Sequence, residues 1–515
     1  MNRFCEKVYL EMTPPDGEDT RSDRRRLLDA LTALGYGDVQ LTLPALRQLH
    51  PACLAGEYRV TAALVCREDG WLLTRVEDGD TRAHNYGLAA DYGSTTIVMQ
   101  LVDLNTGAVL AQASEANGQG AYGSDILTRI TYTLEDPAHV DEMQRATVQT
   151  FDRLLERLTA ESGIDAGECP ALIVAGNTTM IHFLLGLNAW TVFAAPFAPV
   201  ATDPGWFCGR ELGMAFDGAV YFIPSASNYI GGDIVSGLLV LNLHRQSELG
   251  LFFDIGTNGE LVIGNRDFLL AGAGAAGPAL EGYISRFGMR AQDGAIDSVS
   301  IDGPELRCTT IGNSPPVGIC GSGIIDLLAQ MRLNGWINIA GEFQPDASPR
   351  IVYLDDEDQY AAVYATAEES ATGSALYFSQ TDIRQYLETK AAAHTMVDCL
   401  LESVGFTEWD IDRFYLSGAF GAHSDLESAI TLGIFPDLPR ERFHCIRNSS
   451  LDGARTLLLD RTRFADIRYF LENLYCVQFA SMPDFTIRMH AAKFIPHTNM
   501  ELYPSVQREL EKRGY

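Results

Sequence analysis

Gly250-Leu251-Phe252-Phe253-Asp254-Ile255-Gly256-Thr257-Asn258-Gly259-Glu260-Leu261-Val262-Ile263 reads as an apolar strand, a tight polar turn and a second apolar strand. A stretch of the same build lies earlier, from Gly87 through Ala90-Asp91-Tyr92-Gly93-Ser94-Thr95-Thr96 to Asp103. The two turn aspartates, Asp91 and Asp254, are 163 positions apart, which makes this a repeat on the scale of a domain.

A strand–turn–strand with Asp-x-Gly at the bend suits a phosphate clamp. Glycine lets the backbone approach an anion closely. The hydroxyls and backbone N–H groups of Ser94, Thr95, Thr257 and Asn258 can donate to phosphate oxygens. The carboxylates of Asp91 and Asp254 repel phosphate but can hold Mg²⁺, usually through its waters. One such turn is a common motif, whereas two, each heading half of the chain, are a much stronger signal.

Working outward, residues 139–162 have helical apolar spacing and stop at Gly163. A buried strand, Ala171–Ala175, runs into Gly176-Asn177-Thr178-Thr179. Residues 380–404 form a second long helix, capped by Thr381 or Asp382, and Arg413–Leu416 is a strand leading into Ser417-Gly418-Ala419-Phe420-Gly421. Such alternation argues for α/β layers. The first 85 residues form a smaller α+β unit: a strand over 5–12, a helix after Ser22 or Asp23, another after Thr42 or Leu43, and a hairpin, Tyr58–Cys66 with Trp71–Glu77. The Arg24-Arg25-Arg26 run reads as a solvated helix face.

Composition excludes several classes. With 68 acidic and 38 basic residues, the net charge of −30 disfavours nucleic acid and anionic membrane surfaces as partners. There is no run of 18 apolar residues and no signal-peptide core at the N-terminus, so a cytoplasmic protein is expected. No two of the ten cysteines lie within 11 positions of each other, so no zinc or iron–sulfur ligand spacing is present.

The paired turns and the Gly-rich junction resemble the ASKHA superfamily of actin-like, sugar-kinase and Hsp70-type ATPases. Asp91–Thr96 is similar to its first phosphate motif, Asp254–Glu260 to its second, and Ser417–Gly421 to its adenosine motif. Several further segments narrow the match: Ala175-Gly176-Asn177-Thr178-Thr179-Met180, Gly277-Pro278-Ala279-Leu280-Glu281-Gly282, Gly288-Met289-Arg290-Ala291, Gly318-Ile319-Cys320-Gly321-Ser322-Gly323-Ile324-Ile325-Asp326 and Lys493-Phe494-Ile495-Pro496-His497. Together they resemble the reductive activators of corrinoid-dependent enzymes, the RACE family, over nearly the whole chain.

That resemblance implies a duplicated actin-like α/β fold, two half-domains around a nucleotide cleft, with a small N-terminal α+β domain. The expected boundaries are a linker-like segment at 1–20, the small domain at 21–85, ASKHA subdomains at 86–249 and 250–466, and a C-terminal extension at 467–515 packed on the ASKHA domain. It implies ATP-driven reduction of a corrinoid (cobalamin) protein from Co(II) to Co(I) in a methyltransferase system. The cofactors implied are ATP and Mg²⁺, with the cobalamin carried by the partner, and a homodimer is expected. Full-length family members usually begin with a [2Fe–2S] domain. This sequence starts at what resembles the linker, so no iron–sulfur cluster is expected in it and a separate ferredoxin or similar donor is expected to supply electrons. Two other functions remain open: a nucleotide-controlled corrinoid-protein-binding ATPase without electron transfer, and a small-molecule kinase.

The resemblance also distributes roles. Asp91 and Asp254 are the magnesium-linked carboxylates; Gly93, Ser94, Thr95, Thr96, Gly256, Thr257, Asn258 and Gly259 form the phosphate turns; Gly418, Ala419 and Gly421 meet the nucleotide through backbone. Asp233, in Gly231-Gly232-Asp233-Ile234, either orients the attacking water or caps a helix. Gly321, Ser322 and Gly323 either touch phosphate or allow close helix packing. Lys390 is the candidate cation for the nucleotide, with Arg384 on the same helix. Asn177 lines the cleft or shapes a turn, and Asp125 and Arg129, four apart, pair with each other.

Overall fold

Both expected hairpins form, and each lies at the centre of a six-stranded sheet. The computed structural model describes residues 2–256, 258–274, 282, 284–418, 425–479, 482 and 484–515. The chain divides into two units, Met1–Asn242 with Ser449–Leu474, and Leu243–Asn448 with Tyr475–Tyr515. This differs from the expected division: the chain re-enters the first unit at Ser449, well before residue 466, and leaves it after Leu474.

In the first unit the sheet order is Val109–Ala116, Thr96–Asp103, Tyr86–Tyr92, Ala171–Gly176, Ala219–Phe222, Trp206–Cys208. The Asp91 strand pairs antiparallel with Thr96–Asp103 on one side and parallel with Ala171–Gly176 on the other. Ala171–Gly176 is buried along its whole length, as expected of a central parallel strand with no polar face. The helix Ala138–Ser162 covers the sheet with Met143, Phe151, Leu154 and Leu158, and Gly163, at φ +72°, ends it.

The second unit repeats the plan: Phe443–Cys445, Arg413–Ser417, Gly250–Ile255, Gly259–Gly264, Leu269–Gly274, Leu474–Val477. Again the Asp-bearing strand pairs antiparallel with its hairpin partner and parallel with a strand from far along the chain, Arg413–Ser417. The helix Gln380–Ser403 fills almost the whole expected span, but its cap is neither Thr381 nor Asp382. Ser379 caps it, and Asp382 closes the reciprocal bond to the Ser379 N–H.

The small N-terminal sheet runs Cys5–Glu11, Arg59–Arg67, Gly70–Asp78, Val39–Leu41, so the expected linker contributes an edge strand to the domain beside it. Its helices Asp23–Ala33 and Leu43–Ala55 are capped by Ser22 and Thr42. The arginine run is not uniformly solvated. Arg26 is buried and donates to the Thr13 and Asp19 carbonyls and the Asp19 carboxylate. Among the described residues, no helix is long and apolar enough to cross a membrane.

Candidate functional site

In the first unit the Asp91 turn is closed by a bond from the Gly93 N–H to the Thr96 carbonyl at 3.1 Å. A Cβ on Gly93 would lie 2.6 Å from that carbonyl oxygen, so only glycine fits the bend. Asp91 stands opposite Ala175 on the parallel neighbour, just before the junction that Asn177 shapes. Asn177 caps the helix Thr178–Leu184, accepting from the Met180 N–H at 3.0 Å, which is the turn role of its two expected readings.

A second carboxylate belongs to the same half-site. The helix Gly232–Leu241 begins against the ends of the parallel strands Ala171–Gly176 and Ala219–Phe222. A Cβ on Gly231 would sit 2.6 Å from the Asn177 Cα, and one on Gly232 would sit 2.1 Å from the Ile223 carbonyl oxygen. These two glycines bring the helix start close enough for Asp233 to feel Asp91. The N-cap is Gly231, so Asp233 is not the capping residue. Its carboxylate accepts from the Ile234 N–H at 2.9 Å. Burial and the negative charge of Asp91 push its pKa up to about 7. A carboxyl group with a pKa near neutrality is suited to exchanging a proton with water.

Asp91 is held by a residue the sequence reading did not single out. The Ser450 hydroxyl donates to Asp91 Oδ1 at 2.8 Å. Ser450 opens the helix Ser449–Leu459, and the Ser236 hydroxyl donates to its carbonyl at 2.6 Å. A Cβ on Gly453 would lie 1.9 Å from the Ser236 carbonyl oxygen, so this glycine permits the two helices to touch. That in-helix glycine was the available signal, since a glycine inside a helical pattern often marks close packing.

In the second unit the Asp254 turn is one residue shorter, with the Gly256 N–H bonded to the Asn258 carbonyl at 2.9 Å and Ile255 opposite Gly259. Ser417 stands opposite Asp254 on the parallel strand. The next residue, Gly418, has φ +88°, and a Cβ there would lie 2.3 Å from the Ile255 carbonyl oxygen and 3.0 Å from Asp254 Oδ1. The fold thus joins the expected adenosine-motif glycine to the expected magnesium carboxylate. Gly418→Ala is expected to cost at least about 1–2 kcal/mol from the left-handed backbone alone, with further loss from the contacts. A thermal melt shifted by less than 1–2 °C would contradict this. Thr257, Ala419 and Gly421 lie outside the described residues, as does Gly277–Glu281 of the motif ending at Gly282.

Other expected site residues have different placements. Gly321 and Ser322 open the helix Gly321–Leu333 behind Cys320. Gly323 packs so tightly that a Cβ would lie 2.4 Å from the Ile296 carbonyl oxygen, the close-packing role for that glycine. Lys390 requires a correction. It is fully buried, and its Nζ donates to the carbonyls of Ala492 at 2.5 Å, Phe494 at 2.8 Å and Pro496. All three ammonium donors are committed to the C-terminal segment, so none is left for a nucleotide. The expected Asp125–Arg129 pairing is replaced by separate roles: Asp125 caps the helix Ile126–Glu135, and Arg129 reaches the carbonyls of Gly123 and Ser94.

Oxygen-rich carboxylate sites beside backbone cradles that a Cβ would fill suit Mg²⁺ and a phosphorylated ligand. Asp91 in the first unit and Asp254 in the second are each a carboxylate of the kind that would hold such a metal, which would neutralise phosphate charge.

Matches to known proteins bear on both turns. Residues 248–507 match the description "C-terminal domain of RACo the ASKHA domain", residues 86–246 "RACo middle region" and residues 1–83 "RACo linker region". The chain is 32% identical, over 73% of its length, to the corrinoid activation enzyme RamQ of Eubacterium limosum, of which the alignment covers 64%. It is 24% identical, over 74% of its length, to the Co(II) methylated amine-specific corrinoid protein reductase of Methanosarcina barkeri, 71% of which is covered. The chain thus spans a little under two thirds of the first of these relatives. A solved structure described as a reductive activator for corrinoid, iron–sulfur protein superposes with a TM-score of 0.87 at 34% identity, covering 98% of this chain and 81% of that one.

Proposed function

The chain belongs to the RACo family, its linker, middle and ASKHA regions matched in order, and on that footing we propose that it is an ATP-dependent reductive activator of a corrinoid protein. It returns a stalled Co(II) corrinoid to Co(I) for a methyltransferase system. The carrying observation is the likeness to a reductive activator over almost the whole chain. The electron comes from a ferredoxin-type donor, and the chain acts as a homodimer in the cytoplasm.

The overall step is one electron added to Co(II), giving Co(I), alongside ATP plus water giving ADP and phosphate. A potential gap of roughly 200 mV corresponds to about 5 kcal/mol for one electron. ATP can supply that bias only if its bound states differ in affinity for the corrinoid partner. Asp233 orients the attacking water and accepts its proton, and Asp91 and Asp254, each in its own unit, are carboxylates that would hold Mg²⁺, whose charge would offset that of the phosphates. Ser450 holds the Asp91 carboxylate in one orientation.

The test is an anaerobic spectrum of a Co(II) corrinoid protein with this chain, Mg-ATP and reduced ferredoxin. The Co(I) band is expected to rise only with ATP, and its rate to fall about 100-fold or more in Asp254→Ala, as expected when metal-linked charge stabilisation worth several kcal/mol is lost. ATP turnover that responds to the corrinoid protein without any Co(I) would instead favour a binding ATPase. Turnover requiring a small acceptor would favour a kinase.

A further inference from the structure

The carbonyls of the Gly93–Thr95 turn are all held from one side. The Asn117 Nδ2 donates to the Gly93 carbonyl at 3.0 Å, Arg129 Nη1 to the Ser94 carbonyl at 2.6 Å, and the Asn117 backbone N–H to the Thr95 carbonyl at 2.9 Å. The side chains that do this are themselves fixed. Asn117 is 4% and Arg129 2% exposed. Arg129 Nε is anchored on the Gly123 carbonyl at 2.9 Å, and Asn117 Oδ1 accepts from the Gln119 N–H at 3.1 Å. Gln119 in turn donates to the Tyr92 and Thr147 hydroxyls, so the clamp is tied into the core beneath the sheet.

A trans peptide is planar, with its C=O and N–H pointing in opposite directions. Three carbonyls turned toward Asn117 and Arg129 therefore direct the N–H groups of Ser94, Thr95 and Thr96 the other way. Successive N–H groups on one side form an anion-binding concavity. The bond from the charged guanidinium to the Ser94 carbonyl also polarises that peptide, which strengthens the Thr95 N–H as a donor.

We propose that Asn117 and Arg129 are positioning residues for phosphate: they orient the Ser94–Thr96 N–H groups toward the phosphates of the bound nucleotide. This rests on the ATP-binding reading of the site above. Neither residue needs to touch the nucleotide, and the effect is confined to its phosphate end.

The experiment is calorimetric titration of the full chain with Mg-ATP and with adenosine, in wild type, Arg129→Lys and Asn117→Asp. Lysine keeps the charge but cannot hold the Gly123 and Ser94 carbonyls with one rigid fork. Aspartate keeps the acceptor to Gln119 and removes the donor to Gly93. ATP affinity is expected to fall about tenfold or more in both variants, with adenosine affinity within about twofold of wild type. Unchanged ATP affinity, or parallel loss for ATP and adenosine in a folded variant, overturns the proposal. A readout on the wild type alone guards against variants that fail to fold. Amide exchange at Ser94, Thr95 and Thr96 should slow with Mg-ATP and not with adenosine, and unaltered exchange there with ATP bound overturns the proposal. A wild-type chain that binds no ATP removes the nucleotide reading itself, an outcome distinct from these.

Discussion

Asp233→Asn is expected to slow ATP hydrolysis roughly 10²–10⁴-fold, the usual contribution of a positioned acid or base, while ATP affinity changes only a few-fold. The substitution keeps the side chain's shape and its bond from the Ile234 N–H but removes the ability to accept a proton. Wild-type turnover should rise with pH as the carboxyl group, held up chiefly by burial, loses its proton. The variant should show no such rise. Stability carries the opposite sign. The carboxyl group ionises near 3.8 when unfolded and near 7 when folded. Its contribution to the folded state is therefore complete below about 4 and is lost progressively as pH rises to about 7. Asp233→Asn should match wild type in melting temperature only below about pH 4 and gain on it progressively from there to about pH 7. Equal pH–rate profiles for the two proteins, or a stability gap that shrinks with rising pH, would refute the assignment.

Lys390→Met is expected to lower the stability of the second unit by about 2–4 kcal/mol, because it leaves three buried carbonyls without their donor. The packing around the ammonium is specific: a Cβ on Gly433 would lie 2.3 Å from the Pro496 carbonyl oxygen and 3.0 Å from Lys390 Nζ. Burial favours the neutral amine, whereas the three carbonyls favour the ammonium, the only form with three donors. The loss should be local at first. Amide exchange across 492–503 should accelerate before the sheet is affected, because Lys390 grips the chain just after the helix Phe485–Ala491. Next along this tail, His497 lies against the His394 ring with centroids 5.1 Å apart, and the Tyr503 hydroxyl meets His394 Nδ1 at 3.2 Å. Unchanged exchange in that segment, with an unchanged melting temperature, would show that the lysine does not anchor it.

The contrast between Lys390 and the Asp turns shows what could be read in advance. Asp91 and Asp254 were legible because the hairpin chemistry is local: apolar alternation, an Asp at the bend and a Gly two residues on all fall within a dozen positions. Lys390 was not, because its partners lie more than 100 positions away and are carbonyls, which carry no side-chain signature. Ser450 stands 359 positions from the carboxylate it holds, and a serine at a helix start ordinarily reads as a cap. The role of Arg129 is hidden for a related reason. Its spacing from Asp125 suggested an ion pair along the helix, yet the carboxylate caps the helix and the guanidinium reaches back to the turn 35 positions earlier. Local spacing rules rank neighbours on one element and say nothing of a competing acceptor brought in by the tertiary fold.

The discontinuity of the first unit has a consequence during synthesis. Its last piece, Ser449–Leu474, emerges from the ribosome only after the roughly 200 residues of Leu243–Asn448. At about 5–20 residues per second that is a wait of roughly 10–40 s. Until then Gly87, whose absent side chain leaves room for Leu458, faces an empty slot, and Ser236 lacks the helix that Gly453 brings against it. The nascent first half must therefore keep an apolar seam uncovered while the second half is made. A truncation before Ser449 should be captured by chaperones, although it carries every strand of the first six-stranded sheet.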